Sequence, residues 1–260
     1  MFLLAVLASA HAHAHYLDLD EELVRARTFT MGFALTGTPF AYKEDGQLRG
    51  FERAMAQAVA DAHGLDLRLV PLPRDRLAAA LEAGEVDAIN TLALDTEPPA
   101  TRSVPYLVIG DHVMVLRGNP FRIQRLEDLH GRTVAATAGT TAEVFAHVLN
   151  ERFREAGEPP MNVHSFPFQR ATHFPVSMGH AAAYFMKTVS AVAISQDAHA
   201  RTRILEGAFR PVREAGFAVR AEHTDVYHAI EHAVAAMVAT GKYERLRAAH
   251  GLPPELSPYR

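Results

Sequence analysis

An α/β fold is what this sequence predicts, and two observations predict it. From Thr28 onward, short apolar runs alternate with segments of helical period. The helical segments are closed by glycine or proline. Such alternation is the pattern of strands joined by crossover helices. Phe29 to Phe33 reads as the first strand, Thr36-Gly37-Thr38-Pro39-Phe40 as turn chemistry, and Ala41 to Leu48 as a hairpin-like excursion around Glu44-Asp45-Gly46. Phe51 to His63 is amphipathic at helical spacing and stops at Gly64. Leu67 to Val70 is a second strand, Leu77 to Leu81 a helix ended at Gly84, and Val86 to Ile89 a third strand running toward Asn90 and Thr91. After Thr96-Glu97-Pro98-Pro99, where two prolines interrupt pairing, Tyr106 to Leu116 reads as a long strand that ends at Arg117-Gly118-Asn119-Pro120. Further on, Ala191 to Ile194 reads as a strand and Val226 to Ala239 as a helix.

Composition bounds the function. With 260 residues, 48% of them apolar and 22% charged, the chain can bury one large core or two modest ones. A formal charge of −4 with both signs scattered leaves no basic face for nucleic acid. The absence of cysteine removes disulfide, thiol-catalytic and thiolate-metal chemistry together. At the N-terminus, the apolar run Phe2 to Ala10 precedes Ala10-His11-Ala12 and Ala12-His13-Ala14, both of the small-x-small form of export-signal cleavage sites. Residues 1–14 are therefore expected to be a signal peptide, and the mature protein to be periplasmic, although a positive n-region is missing.

The stretch Gly131 to Phe145 carries the strongest site signal. It reads as a buried strand, a glycine turn and a helix start, with Thr140 and Glu143 at capping-box spacing. A helix begun at Thr140 would leave backbone N–H groups of Gly139, Thr140 and Thr141 directed at an anion, such as a carboxylate or phosphate. The turn has no following lysine and lacks dinucleotide-turn spacing, so nucleotide readings do not apply and no cofactor is assigned. His164, His173 and His180 have no carboxylate or second histidine at short ligand spacing. His228 and His232, four apart on a helix, are read as a surface or half-buried pair, and no metal is assigned. Nothing has the form of a nucleophile elbow, so no catalytic residue is assigned.

In the order of its parts the chain resembles the family 3 extracellular solute-binding proteins, receptors of polar amino-acid importers. The resemblance rests on Pro39-Phe40-Ala41-Tyr42 with Gly46 and Gly50-Phe51; Leu77 to Leu81 with Gly84-Glu85-Val86-Asp87-Ala88; Leu126 to Val134; Gly139-Thr140-Thr141; and Gly241-Lys242-Tyr243 with Leu246 and His250-Gly251. It implies a type II periplasmic-binding-protein fold: two lobes, each a mixed sheet flanked by helices, joined by two crossing strands and closing on a ligand. Lobe one would take residues 28–110 and 221–260, lobe two residues 111–220, with crossings near 111–117 and 216–220. The implied partners are a small polar or anionic solute and an ABC permease, with a monomeric receptor and no nucleic acid.

The cleft departs from that pattern. Where the family sandwiches a side chain between aromatics, this chain has Gly37 and Arg74. Where the family clamps a carboxylate with Thr-Pro-Glu-Arg, this chain has Thr96-Glu97-Pro98-Pro99, with Arg102 as the nearby guanidinium. The acid that receives an amine, at the end of the 191–194 strand, becomes Ser195 or, with a shift, Asp197. The expected ligand-binding set is Arg74, Thr91, Thr96, Arg102, Gly139, Thr140, Thr141 and Ser195. Two alternatives to import remain. A few proteins of this fold resemble binding proteins with a dehydratase in the cleft, for which Asp95 or Glu97 would be the acids to ask. A ligand-sensing protein would use the same closure on another partner.

Overall fold

The computed structural model describes residues 19–259; the expected signal segment and its alternating histidines lie outside the described residues. Ten strands are found among them: β1 Thr28–Phe33, β2 Tyr42–Glu44, β3 Gln47–Arg49, β4 Asp66–Pro71, β5 Ala88–Asn90, β6 Thr101–Leu116, β7 Thr133–Thr137, β8 Asn162–Phe166, β9 Ala183–Lys187 and β10 Thr202–Arg220. The helices are α1 Leu19–Glu22, α2 Phe51–Ala62, α3 Leu77–Glu82, α4 Thr141–Glu155, α5 Gln169–Thr172, α6 Phe174–Ser177, α7 Thr188–Gln196, α8 Thr224–Ala239 and α9 Lys242–Ala249.

Eight strands form one sheet in the order β4-β1-β5-β10-β6-β9-β7-β8, while β2 and β3 make a separate hairpin. In one half of the sheet β1 runs parallel to β4 and β5. In the other half β7 runs parallel to β8 and β9. The 16-residue β6 and 19-residue β10 run antiparallel through both halves and carry the connection. Segment 216–220 pairs with β5 in the first half, and segment 111–115 with β9 in the second. These are the outer portions of the two strands. The passage between halves lies where Gly110 faces Pro211, with register shifts on either side. There the β10 backbone comes so close to Gly110 that a Cβ would lie 1.9 Å from the Arg210 carbonyl oxygen.

The period-2 alternation of the strands sorts their side chains onto two buried faces. Phe29, Met31, Met114, Tyr184, Phe217 and Val219 join one large core, under α2 and α8. Val113, Val115, Val134, Ala136 and Phe185 turn the other way onto Phe145 and Leu149 of α4. Ile89 and Ala218 meet Leu77, Ala80 and Leu81 of α3 in a third cluster. Burying each such large side chain contributes about 1.5–3 kcal/mol, so the faces fix the register of every strand. At the C-terminus, α8 and α9 return to the first half, where the Tyr243 hydroxyl donates to the Tyr106 carbonyl at 2.8 Å.

Two readings of the sequence are corrected. The long strand begins at Thr101 rather than Tyr106, and it accommodates Pro105. Residues 191–194 are not a strand but part of α7, so Ser195 lies near the end of a helix, and the preceding strand ends at Lys187.

Candidate functional site

The parallel strands of the two halves run in opposite directions, β1, β4 and β5 along β6 and β7, β8 and β9 against it, so the loops after their carboxyl ends face one another. Crevices outside the carboxyl ends of strands are where open α/β sheets take ligands. Between the halves lies a cavity of about 610 Å³. Its walls are Leu35 and Thr36 after β1, Arg74 after β4, and Leu92 to Asp95 after β5. Facing them are Gly139 to Thr141 after β7, Gln169 after β8, and Lys187 to Ser190 at the junction of β9 and α7. Ile109, Gly110, Val212 and Arg213 form the floor, from β6 and β10.

The α4 wall is built as its sequence predicts, with one difference. Thr140 is the N-cap, and its hydroxyl accepts the Glu143 N–H at 3.3 Å and donates to the Thr137 carbonyl at 2.6 Å. The Glu143 carboxylate, however, folds back onto the Gly139 N–H at 2.8 Å and accepts from the Ser165 hydroxyl. These two bonds, the one from Ser165 the larger, hold the Glu143 carboxyl below its ordinary range. The Gly139 donor is therefore already taken. The N–H groups of Thr140 and Thr141 make no protein hydrogen bond among the described residues and carry the positive end of the helix dipole. Gly139 serves the turn through its φ of 71°, with nothing within 4 Å of an added Cβ.

Beneath this helix end sits Asp111, fully buried. It accepts from the Thr141 hydroxyl at 2.8 Å and pairs with Arg210 at 2.7 Å, while Arg210 also donates to the Thr141 carbonyl at 2.8 Å. The carboxylate is thus matched and serves to fix the helix terminus. Thr188 does the same for the start of α7: its hydroxyl accepts from the Gly110 N–H at 2.8 Å and donates to the Gly110 carbonyl at 3.0 Å.

On the opposite wall, Arg74 pairs with Asp95 at 2.5 Å. Arg213 donates through Nη2 to the carbonyls of Thr91, at 3.1 Å, and Leu94, and through Nη1 to the Glu214 carbonyl at 2.9 Å, which leaves two of the five guanidinium N–H groups without a protein acceptor at the cavity floor. Partial burial lowers its pKa, against the attraction of Asp95 and Glu97. Thr36 stands in front of Glu52, to which its hydroxyl donates at 3.0 Å. Glu52 is fully buried and also accepts from the Tyr106 hydroxyl at 2.6 Å and the Asn90 amide at 3.2 Å. Burial outweighs those bonds and pushes its carboxyl up to about 7.

Of the residues expected from sequence, Arg74, Gly139, Thr140 and Thr141 come together at this cavity. Thr96 lines an adjoining groove with Arg74 and Glu97. Thr91 is buried behind the wall, its hydroxyl accepting from the Gly216 N–H at 2.7 Å and donating to the Gly216 carbonyl at 3.2 Å. Arg102 stacks over the Tyr227 ring at 3.6 Å on the α8 side, and the Ser195 carbonyl accepts from Arg117 at 3.0 Å, so neither reaches the cavity. Lys187, Thr188 and Arg213 are the lining residues that sequence reasoning passed over. The end of the strand before α7 was the right signal, displaced by one element; read there, it points to Lys187, a cation.

Residues 29–252 match the model of the bacterial extracellular solute-binding proteins, family 3. The chain belongs to that family. It is a solute-binding protein of the two-lobed type II fold. Among curated relatives, the L-cystine-binding protein TcyJ of Escherichia coli (strain K12) is 27% identical over 225 residues, 84% of this chain and 80% of that protein. A cyclohexadienyl dehydratase of Pseudomonas aeruginosa is 33% identical over 151 residues, 55% of either chain. Among solved structures, the L-cystine solute receptor of Neisseria gonorrhoeae, in an unliganded open conformation, has a TM-score of 0.70 at 19% identity, covering 90% of this chain and 95% of that one. That likeness speaks for the fold.

Proposed function

We propose that this protein is the periplasmic receptor of an ABC importer, capturing a small polar or anionic solute between its lobes and presenting it to the permease. The observation that carries this reading is a cavity lined from both halves of the sheet, at the carboxyl ends of the strands, with Arg74, Lys187 and Arg213 on its surface. Support for the transport role comes from the family match and from relatives named as amino-acid-binding and cystine-binding proteins. The lobes divide at Gly110 and at Pro211 to Arg213, where the register of β6 and β10 shifts, so lobe one takes residues 28–109 and 214–260 and lobe two residues 111–210. Arg74, Thr140 and Thr141 are the contacts retained from the sequence, with Lys187, Thr188 and Arg213 added to them. Residues 1–14 would direct export and be removed, and the receptor acts as a monomer.

A catalytic reading has less to stand on: Asp95 is paired with Arg74, and Glu97 lies in the side groove. Small-angle scattering of the mature chain, with and without a solute found by thermal shift, tests the proposal. A ligand at about 100 times its Kd adds ~2.7 kcal/mol of stability, readily seen as a raised Tm. Closure predicts a smaller radius of gyration in the bound protein. An unchanged profile at saturation would exclude the hinge, and steady turnover of the bound compound would move the assignment to an enzyme.

A further inference from the structure

We infer that the cleft selects an organic anion that is acidic at both ends and lacks an ammonium group, gripped by Lys187 from lobe two and Arg213 from the hinge portion of β10. This rests on the solute-capture reading above and specifies its substrate class. The charge on the cavity wall carries it. The ionisable side chains that line the cavity are Arg74, Asp95, Lys187 and Arg213. Arg74 and Asp95 neutralise one another at 2.5 Å. Lys187 and Arg213 have no acidic partner within ion-pair distance among the described residues. An empty cleft thus presents two cations without an ion-pair partner, Arg213 feeling Asp95 and Glu97 only at longer range, together with the positive ends of α4 and α7.

The acids behind the wall are committed elsewhere. Asp111 holds Arg210 and the Thr141 hydroxyl, and Glu52 takes three donors, from Tyr106, Thr36 and Asn90. Asp95, the carboxylate on the cavity wall, already holds Arg74, and the four lining charges sum to +2, so an α-amino acid would bring a cation into a cleft already positive. At a separation of about 6 Å and an effective dielectric near 20, one such repulsion disfavours binding by roughly a hundredfold.

The spacing of the two cations fits a short diacid. Arg213 pairs with Ile109 of β6, and Lys187 pairs with Asp111 on its other side. Two strand separations and a two-residue offset put their backbones about 12 Å apart, and both side chains line the cavity, a span that a short diacid can bridge. Leu35 and Val212, half exposed in the open cleft, would cover the carbon chain. The remaining N–H donors of the Arg213 guanidinium suit one carboxylate, and the ammonium of Lys187 with the Thr140 and Thr141 N–H groups suits the other.

Titration calorimetry on the full mature chain tests this with glutarate, butyrate, glutamate, lysine and cystine as probes. Glutarate should bind at least tenfold more tightly than butyrate, which has one acidic end, and than glutamate, which adds the ammonium. Lys187→Gln, an exposed substitution, should erase most of the glutarate advantage over butyrate. Asp95→Asn should leave glutarate binding equal or tighter, because it frees Arg74. Tighter binding of glutamate, lysine or cystine than of glutarate would overturn the inference while the solute-capture reading stands, all the more if Asp95→Asn abolished it. Silence from every probe, on protein that unfolds cooperatively, would overturn both.

Discussion

Between pH 4.5 and 7 the Glu52→Gln variant should gain stability on the parent by on the order of 3 kcal/mol. The fully buried Glu52 carboxyl is held at about 7, against an ordinary 4.5, because burial outweighs the hydrogen bonds from Tyr106, Thr36 and Asn90. Over that interval the folded protein keeps a proton that the unfolded chain has released. The stability this group contributes is therefore fully present below pH 4.5 and lost as pH rises through about 7. Each pH unit in between is worth ~1.4 kcal/mol. Glutamine keeps the shape and the capacity to accept from Tyr106 but does not titrate, so its curve lacks this fall.

His112 tilts the parent the other way. Its ring is buried on β6, with Nε2 3.2 Å from the Thr188 hydroxyl, and burial pulls its pKa from 6.5 to about 4. Its contribution is present above pH 6.5 and lost as pH falls through about 4, a rise with pH of similar size. The two slopes oppose one another between pH 4.5 and 6.5, so the parent should be flatter than either single variant. Urea unfolding of parent, Glu52→Gln and His112→Phe at half-unit intervals from pH 4.5 to 8 supplies the differences, in which all other titrating groups cancel. Parallel curves for parent and Glu52→Gln would refute the reasoning and mean that the carboxylate is ionised in the fold at ordinary carboxylate pH.

Three further outcomes concern the cleft. Asp111→Asn leaves Arg210 without its buried partner and should cost about 3 kcal/mol by urea midpoint, with looser solute binding because the start of α4 is no longer held; a loss below 1 kcal/mol would mean the pair is solvated. Gly110→Ala places a Cβ 1.9 Å from the Arg210 carbonyl oxygen and should destabilise by at least ~3 kcal/mol, or block folding; a normal melt would show that the two strands are farther apart than described. The Gln196 side chain donates to the carbonyls of His250 and Gly251, at 2.8 and 2.9 Å, tying the end of α7 remote from the cleft to the other lobe. Closure at the cleft draws that end away, so Gln196→Ala should raise apparent solute affinity roughly three- to tenfold; unchanged affinity would mean the tie survives closure.

The parts of the fold that local chemistry determines were legible in the sequence. Gly64 and Gly84 end α2 and α3 because each takes a positive φ, and Thr140 caps α4 through a bond to a residue three positions on. The run Ala191-Val192-Ala193-Ile194 misled because β-branched apolar residues favour strands locally, whereas here the segment is a helix packed on β6, β9 and β10, and tertiary packing decides. Pro105 sits inside β6 at a register shift opposite Gly216, a position that sequence alone does not mark.

The site was more legible on one wall than on the other, where Arg74 alone of the expected residues reaches the cavity. Gly139 to Thr141 announced itself because a turn and a helix cap are contiguous in sequence, although the back-bond from Glu143 occupies one of the three donors. Arg213 carried no such signal: no motif surrounds it, and only antiparallel pairing with Ile109, about a hundred residues away, brings it to the cavity floor. Arg102 shows the converse. Its place in sequence, soon after the Thr96 run, suggested a clamp, but its strand directs the guanidinium onto Tyr227 of α8. Whether a side chain on β6 or β10 faces the cleft is fixed by register, and register is set by the cores on either face of the sheet. A change that slipped either strand by one residue would exchange Arg213 for an apolar neighbour and alter the ligand without touching any residue that contacts it.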